Sequence, residues 1–185
     1  MSLKPYMRSQ RFFGELVDSY FSRKYGINFV ACRFPAVVGP GRVNGGTTAY
    51  TTLIIQKAAQ GEPYTVNVPE DTKLPLIYVK DAVDLMVQAY KQMDRLKCRI
   101  YNVGGVQPTP KAIEIAEAVK KLLPEAQITF KPDPAIAEIV KSWPEYMDDT
   151  ELKQELGWKP QFPTIDAVAE DFIKEVKNHP DLYKV

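Results

Sequence analysis

The chain has 185 residues and balances 24 lysines and arginines against 23 aspartates and glutamates, a formal net charge of +1. No global field therefore draws it to nucleic acid or to an anionic membrane. Hydrophobic residues make up 45% and charged residues 25%, which suits a globular protein with a real core and about one large domain. No apolar run approaches the roughly 18 residues of a membrane span, and no signal peptide precedes the first helix, so a cytosolic protein is expected.

The opening stretch KPYMRSQRFFGELVDSYF repeats apolar residues at helical spacing: Phe12, Phe13, Leu16, Val17, Tyr20 and Phe21. Gly26 is placed to stop that helix. The β-branched and aromatic run INFVACRF predicts a buried strand. It leads into PAVVGPGRVNGG, a loop with two prolines and four glycines, whose backbone can turn sharply and approach a ligand closely. A helix is predicted from about Thr48 to Gln60, capped by Thr47 or Thr48. PYTVNV and LPLIYV read as short strands around the turn Pro69-Glu70-Asp71. The next helix carries Asp81 as a cap in its first turn and Val83, Met86, Val87 and Tyr90 along one face. Tyr78 and Tyr101 fall in strands and read as packing residues.

CRIYNVGG predicts another strand, followed by Pro108-Thr109-Pro110, with Thr109 as a helix cap and Pro110 as first helical residue. Ala112, Ile115, Ala116 and Val119 form that helix's stripe. QITFK is a strand, IAEIVKSW a short helix, and DDTELKQELGW a helix with acidic caps and a glycine stop. A last helix runs from about Thr164 to Lys177 over Ile165, Val168, Ala169, Phe172 and Ile173. Strands alternate with helices throughout, so the class is α/β. Cys32 and Cys98 sit far apart in apolar runs and read as reduced thiols. With one histidine, His179, and neither CxxC nor HExxH, no metal site is expected.

This order of blocks resembles the C-terminal half of an extended short-chain dehydrogenase, the group of NAD-dependent epimerases and dehydratases. NFVACRFPAVVGPG, LPLIYVKDAVDLMVQAY, IYNVGG, TPKAIEIAEAV and ELKQELGWKP carry the resemblance over nearly the whole chain. GGTTAYTTLI and IVKSWPEYMDDTELKQELGW are more similar to the epimerase-like L-threonine dehydrogenases than to the sugar epimerases. The resemblance implies an incomplete Rossmann-like doubly wound sheet lacking its N-terminal half, joined to a small α/β substrate-binding domain. Residues 1–110 would hold the Rossmann-like part, with substrate-domain segments at about 40–75, and residues 111–185 mainly the substrate domain.

Two departures bear on function. The family's GxxGxxG turn, which holds the dinucleotide pyrophosphate on a helix N-terminus, has no counterpart here. The family also carries YxxxK at the start of the opening helix, where the lysine lowers the phenol pKa and the tyrosine moves a proton. Counting back from Glu15 puts Met7 and Arg11 at those positions; a one-residue slip puts Tyr6 and Gln10 there. Neither register keeps the pair, and the plain reading of Tyr6 to Arg11 is an N-terminal helix turn.

By the resemblance, Pro35, Ala36 and Val38 would border the cofactor. Gly46, Thr47, Thr48 and Trp143 would face substrate, although a loop, a cap and a core plug are the plain readings of those four. NAD is the cofactor of the intact family, and this chain alone is expected to bind none. The expected function is that of a fragment or truncated relative of such an oxidoreductase, with L-threonine 3-dehydrogenase as parental chemistry. A nucleotide-sugar epimerase fragment, a non-catalytic association domain and one half of a split enzyme are the alternatives. The partner is expected to be a second copy, since family dimers commonly use the YxxxK helix, or else a chain carrying the missing N-terminal half.

Overall fold

The computed structural model describes residues 12–14, 16–42, 46–97 and 100–183. Its three strand pairs are all parallel. Strand β1 (Ala31–Arg33) pairs with β5 (Ile100–Asn102), β2 (Ala36–Val38) with β4 (Leu76–Tyr78), and β3 (Tyr64–Val66) with β6 (Ile128–Phe130). The sequence pattern puts Ala36–Val38 at the start of the proline loop, whereas the structure makes it a strand. Its Ala36 N–H donates to Pro75 O at 3.0 Å, and β4 then captures the segment in register. Parallel pairs need long crossovers, and helices supply them.

Helical turns at Val17–Ser22 and Arg23–Tyr25 (α1) end at Gly26, which adopts the left-handed conformation at φ 63°. Helices α2 (Tyr50–Ala59), α3 (Val79–Lys91), α4 (Ala112–Leu122), α5 (Pro134–Val140), α6 (Thr150–Leu156) and α7 (Ile165–Asn178) follow. Thr164 caps α7 by accepting from Ala167 N at 3.2 Å, and Gly157 stops α6 at φ 63°.

Two caps differ from the sequence reading. Helix α4 starts after Lys111, whose N–H is taken by the Glu114 carboxylate at 2.7 Å, so Thr109 and Pro110 lie outside it. Helix α2 starts at Tyr50 without a side-chain cap, so neither Thr47 nor Thr48 caps it through its side chain. Backbone carbonyls of Gly46 and Ala49 begin the turn instead.

Buried side chains form two clusters. The larger joins β2, β3, β4, α2, α4 and α7, with Tyr50, Ile54, Leu76, Tyr78, Ile115 and Phe172 at its centre. The smaller joins Tyr101, Val103, Ile77, Leu85, Leu152 and Trp158. Trp158 is the plug of that second core, and its indole N–H donates to Asp84 at 3.0 Å. Asp81 is buried, but it does not cap its own helix. Its carboxylate accepts from the N–H groups of Gln161 and Phe162 at 2.7 and 3.1 Å, tying α3 to the loop that precedes α7. Burial pushes its carboxyl up, opposed by those two backbone bonds.

Helix α3 presents two apolar sides. Ala82, Leu85 and Ala89 enter the core, whereas Val83, Met86, Val87 and Tyr90 are exposed, Tyr90 by 75%. The predicted stripe is real in spacing, but the structure buries the other side. Phe12 and Phe13 are likewise exposed, by 60 and 62%, along with Tyr20, Phe21 and Tyr25.

Helix α7 is locked to β4 and α3 by Asp171, which accepts from the Tyr78 hydroxyl and the Lys80 ammonium, each at 2.7 Å. Burial pushes the Asp171 carboxyl up, but those two bonds outweigh it and hold the group below its usual range. Its stabilising contribution is thus present above the ordinary carboxylate pKa and is lost as pH falls through the lowered value. Asp171→Asn should cost about 1–2 kcal/mol at pH 7. Urea unfolding at pH 7 and pH 3 checks this, because the gap from wild type should shrink at the lower pH.

Candidate functional site

The proline and glycine loop leaves β2 and turns back over α2. Val38 is fully buried in register with Tyr78. Gly39 follows against Val79, where an added Cβ would lie 2.6 Å from Val79 Cγ1, so only glycine fits without a shift. Gly41 takes φ 95° and donates its N–H to Gln56 Oε1 at 3.0 Å, while Gln56 Nε2 donates to Arg42 O at 3.1 Å. Arg42 reaches towards Thr48 Oγ1 at 3.5 Å. Gly46 is exposed, Thr47 and Thr48 are half-buried, and Thr48 O accepts from the Thr51 N–H and hydroxyl.

Trp143 lies elsewhere on the surface. It is half-buried against the larger core and lines a crevice of about 150 Å³ with Asp71, Thr72, Lys73, Val140 and Glu145. None of Gly46, Thr47 and Thr48 lines that crevice. An adjoining open cleft of about 480 Å³ shares Lys73 and Glu145 and adds Gln107, Thr109, Lys111 and Tyr146. Lys73 and Glu145 pair at 3.1 Å but are 38 and 67% exposed, so the bridge adds little stability. Sequence reasoning missed both residues. Their only signal was position, Lys73 just before a strand and Glu145 just after the Trp143-Pro144 corner.

Tyr6, Met7 and Arg11 lie outside the described residues, as does Cys98. Burial pushes the hydroxyls of Tyr50, Tyr64, Tyr78 and Tyr183 up, so none of these four is tuned as a base at neutral pH. Cys32 is free and half-buried, and burial raises its thiol too. Among the described residues, no group of three or more His, Cys, Asp or Glu side chains could hold a metal. None of the helices among them is long and apolar enough to cross a membrane.

Pro35, Ala36 and Val38 offer nothing for a dinucleotide diphosphate. Ala36 N–H is spent on Pro75 O and Val38 is sealed in the core. The start of α4 is occupied as well, since Ala112 and Ile113 donate to the carbonyls of Thr72 and Glu70. Neither of these two places therefore fits the phosphate half of NAD.

Residues 2–104 match the profile of the NAD dependent epimerase/dehydratase family. The chain belongs to that family. Within it, the mitochondrial L-threonine 3-dehydrogenase of Bos taurus is 32% identical over 150 residues, covering 80% of this chain and 40% of that protein. The crystal structure of L-threonine dehydrogenase from Phytophthora infestans superposes with a TM-score of 0.79 at 29% identity, over 89% of this chain and 53% of that one. UDP-N-acetylglucosamine 4-epimerase from Bacillus cereus, with a TM-score of 0.67 and 19% identity over 85% of this chain and 51% of its own, shares the fold. This chain spans about half the length of these relatives. The α/β class with parallel strands is thus that of the extended short-chain dehydrogenases, and NAD is the cofactor of the family.

Proposed function

We propose that this chain is the substrate-side half of an NAD-dependent L-threonine 3-dehydrogenase, and that it depends on a glycine-rich half to bring NAD. One observation carries the reading: the threonine dehydrogenases named above align at 29–32% identity, against 19% for the nucleotide-sugar epimerase. The Trp143 crevice, at about 150 Å³, suits a small amino acid better than the roughly 300–1,000 Å³ pockets of larger ligands. Gly46, Thr47 and Thr48 do not line that crevice and would meet substrate separately, from the glycine-loop side. Residues 1–110 would contribute the Rossmann-like part, with the 40–75 segments and 111–185 forming the substrate domain, in a cytosolic protein.

Mixing this chain with the glycine-rich half of the Phytophthora infestans enzyme tests the proposal. The mixture should bind NAD in the micromolar range, and L-threonine should then tighten that binding. Tightening by UDP-N-acetylglucosamine instead would move the chain to the epimerases, and no NAD binding by the mixture would overturn the proposal.

The exposed apolar faces of α3 and of the Phe12-to-Tyr25 segment give a second expectation. Contiguous apolar patches above a few hundred Å² mark association surfaces. Without the glycine-rich half, the chain should self-associate, with a homodimer as the first species. Light scattering at micromolar concentration should report at least twice the monomer mass, and a monomer with no surface-dye binding would count against it.

A further inference from the structure

We propose that Gln56 is the positioning residue for the substrate-facing loop, a role resting on the threonine-dehydrogenase reading above. Its side chain is fully buried in the second turn of α2. The amide oxygen accepts from Gly41 N at 3.0 Å and the amide nitrogen donates to Arg42 O at 3.1 Å. One side chain thus serves backbone groups of two successive residues. An apolar side chain of similar volume would fill the space, but it would remove both of these part-buried bonds. The amide is there for the loop.

A second jaw closes from the C-terminal segment. The Tyr183 ring lies 3.6 Å from where a Cβ on Gly41 would stand, and Tyr183 O accepts from Gln60 Nε2 at 2.7 Å. Gln60 lies one turn beyond Gln56, so the end of α2 grips the loop from beneath and holds the ring above it. From Arg42 the constraint passes to Thr48 Oγ1, and so to the Gly46–Thr48 turn. Gln56 touches no substrate in this scheme. It sets where the residues that do so stand.

The test uses the 185-residue chain with Gln56→Leu, which cannot bond the loop, and Gln56→Glu, which keeps only an acceptor. Amide hydrogen exchange and L-threonine titration are both followed by nuclear magnetic resonance. In Gln56→Leu the Gly41 amide should exchange at least tenfold faster while the Gly61 amide is unchanged. The L-threonine concentration that half-shifts the Gly46–Thr48 amides should rise by a similar factor. In Gln56→Glu, protection of Gly41 should survive and the threonine effect should be intermediate, which keeps the test alive if the leucine variant fails to fold.

Unchanged Gly41 exchange in Gln56→Leu would overturn the clamp. Faster exchange with an unchanged threonine midpoint would reduce it to a structural contact and overturn the positioning role. Wild-type amides that ignore L-threonine altogether would sink the substrate reading, and the positioning role with it, while the exchange data still judge the clamp.

Discussion

Calorimetry with millimolar NAD should show no saturable binding to this chain alone, and L-threonine should yield no NADH. The diphosphate of a bound dinucleotide draws on backbone N–H groups at a glycine-rich helix start. The sequence has no GxxGxxG, and the start of α4 is already paired to Thr72, Glu70 and Glu114. Each missing charge-assisted hydrogen bond is worth roughly 1.5–3 kcal/mol. Losing three weakens binding by about a thousandfold or more, since each 1.4 kcal/mol is tenfold. In the register that puts Met7 at the tyrosine position, loss of the base lowers turnover by a further factor of roughly a hundred to ten thousand. Micromolar NAD affinity, or NADH formation abolished by Tyr6→Phe, would reverse this expectation and assign the base to Tyr6.

Gly105→Ala should be the most damaging small substitution in the chain. A Cβ at Gly105 would run into the backbone oxygen of Leu76 and stand 2.9 Å from Ile77 Cα. These are β4 atoms, and Val106 N already donates to Leu76 O at 2.9 Å, so the approach is fixed from both sides. No flexible side-chain end can yield. The strand itself must move, at a cost of about 3–5 kcal/mol, a large share of the roughly 5–15 kcal/mol that holds a domain together. Gly61→Ala is the comparison: φ is 74° there with open space around the Cβ position, so only left-handed strain of about 1–2 kcal/mol applies. Urea midpoints of the two variants decide between them, and a milder effect at Gly105 than at Gly61 would refute the prediction.

The helices that carry their own punctuation were legible in the sequence. Thr164 and Gly157 act through bonds within four residues, and a linear pattern records such bonds. Asp81 looked the same and was not, because its partners Gln161 and Phe162 lie eighty residues away and competed successfully for the carboxylate. Helix α3 shows a related limit. Val83, Met86, Val87 and Tyr90 have a sound helical period, but so do Ala82, Leu85 and Ala89, and periodicity alone cannot say which side meets the sheet. At the site, the glycine loop announced itself through its turn residues. Gln56 did not, because a glutamine inside an apolar helix has no local signature until the loop folds over it. Lys73 and Glu145 meet only through tertiary packing, so neither could be paired in advance.

The parallel pairing also governs the order in which a growing chain can become a protein. Ala36 can meet Leu76 early, but Ala31 must wait for Ile100 and Tyr64 for Ile128. The interval of Tyr64 and Ile128 crosses that of Ala31 and Ile100 rather than nesting inside it, so neither pair closes a loop that shelters the other. During synthesis, strand edges and apolar faces therefore stay open until Phe130 has left the ribosome. Parallel pairings of this separation form slowly, and open edges in that interval invite mispairing. Late closure of the strand pairs is in this sense written into the topology, whatever the stability of the finished fold.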